Sequence, residues 1–261
     1  MIKLGEITKI FSKGTIDEKT AINCVTLHIR KGDFVTVIGS NGAGKTTALN
    51  LISGTCSADE GDIFIDGRKV TNLPEHKRAK FLGRIFQDPL MGTASSMSIE
   101  ENLAIADLRG QRRGLGWGVK KARRKHYRDI LKMLDLGLEN RMKDVVSLLS
   151  GGQRQSLTLL MVTLSLPKLL LLDEHTAALD PKTAQRVMDL TEKIIRENSL
   201  TTVMVTHNMQ QAIQYGNRMI MLHEGRVQFD IEGEEKKNLT VEDVVKRFGA
   251  ELKDEALLVA S

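Results

Sequence analysis

Eight consecutive residues, Gly39-Ser40-Asn41-Gly42-Ala43-Gly44-Lys45-Thr46, spell G-x-x-x-x-G-K-[ST], and Thr47 follows them. The nearly all-apolar Phe34 to Ile38 stands before them as a buried strand, and Lys45 to Ile52 reads as a helix after them. Such a loop does phosphate chemistry. Its glycines let the backbone curl so that successive N–H groups point at phosphate oxygens, and the helix N-terminus adds roughly half a positive charge. Lys45 would reach the β and γ phosphates, while the Thr46 hydroxyl would hold Mg²⁺. The competing reading is a glycine-rich strand-to-helix turn with no ligand, but every fixed position and both flanks agree with a phosphate loop.

A phosphate loop of this kind needs a second magnesium-side group, usually an acid at the end of a neighbouring buried strand. Leu169 to Leu172 followed by Asp173 is such a strand. Asp173 would hold the metal, directly or through water, and Glu174 would be the base for the attacking water. His175 comes next in DEHTAALD, with no required group missing on either side of it.

The elements that must position these groups alternate. Strand patterns at Lys3 to Ile10, Ala21 to Ile29 and Phe34 to Ile38 make the N-terminal third strand-rich, and Asp66-Gly67 after an apolar run marks a hairpin turn. Strand signals vanish from about Ser98 to Leu149, where residues 120 to 134 read as a helix. KLLLLD, a helix over Pro181 to Glu197, TTVMVTH, a short helix and RMIML follow, which argues for a mainly parallel α/β sheet into which the helical middle is inserted. Leu239 to Phe248 reads as a last short helix, with a frayed tail beyond Ala256.

Composition narrows the class. With 261 residues and 41% hydrophobic content, the chain builds a real core. Its longest strongly apolar stretch, Leu157 to Leu166, carries two Thr and a Ser, and it falls short of the roughly 20 apolar residues that cross a bilayer. Cys24 and Cys56 are the only cysteines and form no CxxC pattern, so both are expected as reduced core or near-core residues. The net charge is +5, but Arg109 to Arg128 holds nine Arg or Lys residues and no acid. That run suggests a basic surface facing an anionic partner, with a merely solvated helix and loop as the alternative.

Leu149-Ser150-Gly151-Gly152-Gln153 places small residues and a serine at a helix N-terminus, a second anion-binding element. With this LSGGQ run the chain resembles the ABC ATPases over nearly its whole length. Gln87 in IFQDP matches the family's Q-loop, Ala178-Leu179-Asp180 its D-loop, and His207 after TTVMVT its switch histidine. The resemblance implies an α/β fold, a P-loop NTPase of ABC ATPase type, with a mainly parallel sheet core, an N-terminal antiparallel β subdomain and an inserted α-helical subdomain. Residues 1–261 would be one such domain: a helical subdomain at about 88–165, a core at about 1–87 and 166–230, and a short helical tail at 231–261, too short for a full regulatory module.

What the resemblance implies for function is ATP hydrolysis in a head-to-tail dimer. Ser150, Gly151, Gly152 and Gln153 would face the ATP held by the partner copy's loop, Asp180 would sit at the dimer interface, Gln87 would sense the γ phosphate and Mg²⁺, and His207 would hold Glu174 and water in line. Phe11 matches the aromatic that stacks on adenine, at a longer spacing to the loop because of the insert SKGTIDEKT; a core aromatic is the alternative. Most of the family has proline where His175 stands, which marks a subfamily rather than a catalytic group.

The sequence looks most like the ATPase subunits of importers whose permeases are of the branched-chain amino-acid type, some tied to aromatic amino acids such as tryptophan. Expected partners are permease subunits in the membrane, a second copy or a paralogous ATPase, and an extracellular solute-binding protein, with no nucleic acid. The chain would sit on the cytoplasmic face. A soluble ABC subunit of a non-transport enzyme complex is the alternative.

Overall fold

A computed structural model describes residues 1–109 and 121–248. The first elements are β1 (Ile2–Phe11), β2 (Lys19–Ile29), β3 (Phe34–Ile38), α1 (Lys45–Ser53), β4 (Glu60–Ile65), β5 (Arg68–Lys69), α2 (Glu75–Arg78) and β6 (Leu82–Ile85). The middle of the chain forms α3 (Ile99–Asp107), α4 (Lys121–Lys132) and α5 (Gly151–Thr163), with two 3-10 turns before α5. Then come β7 (Leu169–Asp173), α6 (Pro181–Asn198), β8 (Thr201–Val205), α7 (Met209–Gln214), β9 (Arg218–His223), β10 (Arg226–Glu232), α8 (Gly233–Lys237) and α9 (Val241–Phe248). Contacts divide the chain into two compact units, one of Met1–Leu82, Leu169–Asp173 and Ser199–Ser261, the other of Gly83–Lys168 and Glu174–Asn198.

The first unit is built on two sheets. A four-stranded antiparallel sheet runs β2-β1-β4-β5, and its last turn is the one expected at Asp66-Gly67. Both of these residues have positive φ, 53° and 75°, the backbone of a two-residue hairpin loop that matches strand twist. Within this unit the second sheet has the order β10-β9-β3-β8-β7, with β3 parallel to both β8 and β9 and β7 parallel to β8. Every residue of β3, β7 and β8 is buried. Strands covered on both faces have no solvent side to alternate toward, so the sequences FVTVI and LLLLD read as continuous runs rather than as apolar-polar alternation. The sheet is mainly parallel, but β10 returns antiparallel to β9 through a Glu224-Gly225 turn with φ of 46° and 75°.

Cys24 departs from expectation. It is exposed, whereas Cys56 is half-buried and packs against the main core. The reason lies in strand parity: with Val25 and Ile29 facing inward, a regular strand sends residue 24 outward. The register irregularities in β1–β2 then let Ala21 and Ile22 both bury, and Cys24 itself has φ of 50°.

The second unit packs α3, α4 and α5 around Leu103, Tyr127, Leu131, Leu138 and Leu157. Ser98 and Ser150 start α3 and α5 with full capping boxes, closed by Glu101 and Gln153. The basic run is partly spent inside this unit. Arg124 makes a bidentate pair with Glu100 at 2.9 and 3.0 Å, and Arg123 pairs with Asp107. Trp117 and the rest of residues 110–120, like the tail from 249 on, lie outside the described residues.

Candidate nucleotide site

The loop from Gly39 to Gly44 leaves the carboxyl end of β3 and ends at α1. Two glycines are dictated by close approach. A Cβ on Gly39 would stand 2.2 Å from Leu222 O, and one on Gly44 would stand 2.4 Å from Ala21 O, with φ of 151° and 100°. No other residue lays its backbone against both neighbouring strands in these conformations. Gly225 N donates to Ala43 O at 3.1 Å, which ties the loop to the β9–β10 turn.

Lys45 is buried, 7% exposed, and its Nζ donates to Gly39 O at 2.7 Å and Ser40 O at 3.0 Å. The ammonium is therefore folded over the loop that it would serve. Unlike α3 and α5, α1 has a glycine at its N-cap and no capping side chain. That start offers the first-turn amides to an anion, with the helix dipole behind them. Asn41, Gly42 and Thr46 are exposed on the loop and its first helical turn, while Thr47 is half-buried. Lys19, on which the sequence reading placed no role, brings its Nζ within 3.3 Å of where a Gly42 Cβ would stand, adding a second cation beside the loop.

The neighbouring strand ends follow from sheet register. Val37 pairs with Val205, and Val205 pairs with Asp173, so β3, β8 and β7 finish at one level. Asp173 therefore lies two strand spacings, roughly 10 Å, from the end of β3. A crevice at the carboxyl ends of parallel strands is where open α/β sheets bind ligands. His207 follows β8 on a turn pinned from both sides: Thr206 N donates to Val37 O at 3.1 Å, and Asn208 N donates to Thr206 Oγ1 at 3.0 Å. Lys45, Thr46, Asp173 and His207 thus belong to the carboxyl end of one sheet of the first unit. The oxygen donors there, a hydroxyl and a buried carboxylate, suit a hard divalent cation such as Mg²⁺.

Phe11 ends β1 and is 41% exposed, with Lys9 Nζ 5.4 Å from its ring centre. It is not a core aromatic. The insert after it is a chain of turns, Thr15 N to Ser12 O and Glu18 N to Thr15 O, both 3.1 Å.

The remaining candidates lie in the second unit. Gln87 is exposed just beyond β6. Ser150 Oγ accepts from Gln153 N at 3.3 Å, and Ser150 N donates to Gln153 Oε1 at 3.2 Å. Because the serine oxygen accepts in this box, its own proton remains available to a ligand. A Cβ on Gly152 would meet Thr183 Cγ2 at 2.0 Å, so this glycine also permits the close contact of α5 with the start of α6. Asp180 Oδ1 accepts from Thr183 N at 3.1 Å; bonds from the Thr183 side chain and amide hold the carboxyl below its usual range. Glu174, directly after β7, has φ of 45°, a left-handed conformation that costs a non-glycine residue about 1 kcal/mol or more.

His175 is a satisfied core residue. It is 2% exposed, and its Nε2 lies 3.2 Å from Thr191 Oγ1. Since the Thr191 hydroxyl donates to Val187 O at 2.7 Å, it accepts from an Nε2–H. Burial lowers the imidazole from 6.5 to about 4.

The ABC transporter family matches residues 22–177, more than half of the chain. The chain belongs to the ABC transporter ATPase family. It is 45% identical to a tyrosine transport ATP-binding protein of Clostridioides difficile (strain R20291) over 95% of this chain and 98% of that one. A methionine import ATP-binding protein of Corynebacterium glutamicum is 32% identical, over 87% of this chain and 61% of that longer one. Among solved structures, a dimeric ATP-binding cassette in a post-hydrolysis state with ADP and Pi superposes with a TM-score of 0.76 at 31% identity, covering 89% of this chain and 98% of that one. This ABC ATPase therefore has the P-loop NTPase fold, and its family's reaction is ATP hydrolysis. Among its described residues no helix is long and apolar enough to cross a membrane.

Proposed function

We propose that this ABC ATPase is the ATP-binding subunit of an importer, hydrolysing MgATP in a head-to-tail dimer to drive uptake of a small solute through a separate permease. The carrying observation is the phosphate loop itself: an uncapped α1, a buried Lys45 folded on the loop carbonyls, and Asp173 at the same carboxyl end of the sheet. Lys45 and the amides of Gly42 to Thr47 hold the phosphates, where charge developing in the transition state is stabilised electrostatically. Thr46 and Asp173, with Gln87, would hold Mg²⁺, which would neutralise charge on the phosphate oxygens. Glu174 takes the proton of the attacking water as the bond between the γ phosphorus and the ADP oxygen breaks, and His207 orients both.

In the dimer each copy's Ser150, Gly151, Gly152 and Gln153 complete the other copy's site, and Asp180 lies at the interface. Two nucleotides close the pair, closure moves the permease subunits, and hydrolysis reopens it. Phe11 stacks on the adenine. The 45% identical relative is a tyrosine transport protein, which makes tyrosine or a related aromatic amino acid the first solute to test. A solute-binding protein outside the cell and a position on the cytoplasmic face complete the reading.

The test is uptake of labelled tyrosine by host cells carrying the wild-type chain or Glu174→Gln, together with identification of what co-purifies from detergent-extracted membranes. A multi-span permease and uptake that is lost in the variant support the importer. A soluble enzyme complex, with no membrane partner and no change in uptake, would place the ATPase in a non-transport assembly.

A further inference from the structure

Two residues beyond the LSGGQ run, α5 carries Gln155, which is 1% exposed. Its Nε2 donates to His175 O at 2.7 Å and to Phe86 O at 3.1 Å. Its Oε1 is buried with no hydrogen-bond partner among the described residues. An amide nitrogen carries two protons, so both are committed, one to each carbonyl. The two carbonyls are informative by their neighbours in sequence: His175 follows Glu174 directly, and Phe86 precedes Gln87 directly.

Stability alone does not account for this arrangement. A buried acceptor without a partner is costly, and an apolar side chain of similar length would avoid it. Glu174 in turn sits at φ of 45°, a conformation that persists only where the surroundings over-determine it. Ala177 N fixes one side of that turn by donating to Glu174 O at 3.0 Å, and Gln155 fixes the other at the next carbonyl. The same carboxamide reaches the segment that presents Gln87, and α5 itself begins at the Ser150 capping box.

We propose that Gln155 is a positioning residue for ATP hydrolysis, clamping the backbones beside Glu174 and Gln87 to the helix that starts at the LSGGQ run. The inference rests on the roles proposed above for Glu174 and Gln87. It predicts that loss of the clamp slows the chemical step without weakening nucleotide binding, because neither carbonyl lies in the phosphate loop.

The experiment compares full-length wild type, Gln155→Met, Gln155→Asn and Glu174→Gln by steady-state MgATP hydrolysis, ADP affinity and thermal unfolding. Met keeps the length and removes both donors; Asn keeps the amide but is one methylene too short to span both carbonyls. The expected result is kcat reduced about tenfold to hundredfold in Gln155→Met, with a smaller loss in Gln155→Asn. KM for ATP and the ADP Kd stay within about twofold of wild type. Should Gln155→Met fail to fold, Gln155→Asn carries the same comparison. If kcat is retained in both while Glu174→Gln is inactive, Gln155 does not position the site and the role of Glu174 stands. If kcat, KM and the unfolding midpoint fall together, Gln155 is a packing residue. If Glu174→Gln keeps full activity, the reading beneath the inference fails, and the inference with it.

Discussion

His175 shows how far a residue's setting decides its role. A histidine beside a candidate base invites a catalytic reading, yet its ring is buried and bonded to Thr191. Its effect belongs to stability. The folded state lowers its pKa to about 4, whereas an unfolded chain leaves it at about 6.5. The unfolded state therefore takes up the proton first as pH falls. The stability that the neutral imidazole contributes is fully present above pH 6.5 and is lost progressively from there to about pH 4. Between pH 7 and 4.5 the loss amounts to roughly 2 kcal/mol. His175→Gln, an uncharged donor of similar reach, should lack this increment in urea unfolding at the two pH values while keeping ATPase activity close to wild type. An activity loss as severe as that of Glu174→Gln would contradict the structural assignment.

At the scale of elements, α1, α3 and α5 separate two uses of a helix N-terminus. Ser98 and Ser150 both cap with reciprocal boxes, and α1 has none. Replacing either serine with alanine should cost about 1 kcal/mol of unfolding free energy. Their effects on catalysis should differ. Ser98→Ala should leave kcat unchanged, whereas Ser150→Ala should lower it beyond what the stability loss explains, because its hydroxyl proton is the one proposed to meet the partner copy's nucleotide. Equal kinetic behaviour of the two variants would mean that Ser150 is only a cap. Arg78 is a second element-scale device. Fully buried, it donates from Nη1 to Leu51 O and Ile52 O at 2.5 and 3.0 Å and from Nη2 to Thr71 O at 2.8 Å, so it closes the carboxyl end of the helix whose other end forms the phosphate site. With no carboxylate among these partners, burial depresses its pKa.

For the whole molecule, the site makes stability depend on nucleotide. A ligand that binds only the folded state adds about 2.7 kcal/mol at a hundredfold excess over its Kd. Thermal unfolding of the wild type should therefore shift upward with MgADP. Lys45→Ala should abolish most of that shift, since it removes the cation aimed at the phosphates, and Asp173→Asn should remove only the part that requires Mg²⁺. A full MgADP shift in Lys45→Ala would place the nucleotide elsewhere. In the basic run, Arg123 and Arg124 are paired to Asp107 and Glu100 within the second unit.

Much of this protein was determined by sequence alone, and the reason in each case is local. The Gly39 to Thr47 loop, the Asp66-Gly67 turn and the all-apolar β3 and β7 each carry their structure in residue type and short spacing, through positive φ, close backbone approach or burial on both faces. The order of LSGGQ, DE and His207 added the family. What the sequence left open depended on partners far along the chain. Cys24 turned outward because the strand's parity is set by Val25 and Ile29, which face the core, and Phe11 left the core because β1 ends before a turn-rich insert. His175 acquired its partner sixteen residues away on α6, Arg78 found the end of α1, and Gln155 joined two carbonyls from segments 69 and 20 residues distant. No period or motif encodes such hydrogen bonds, because they exist only once packing has excluded water and left each buried donor to whichever acceptor the fold brings within reach.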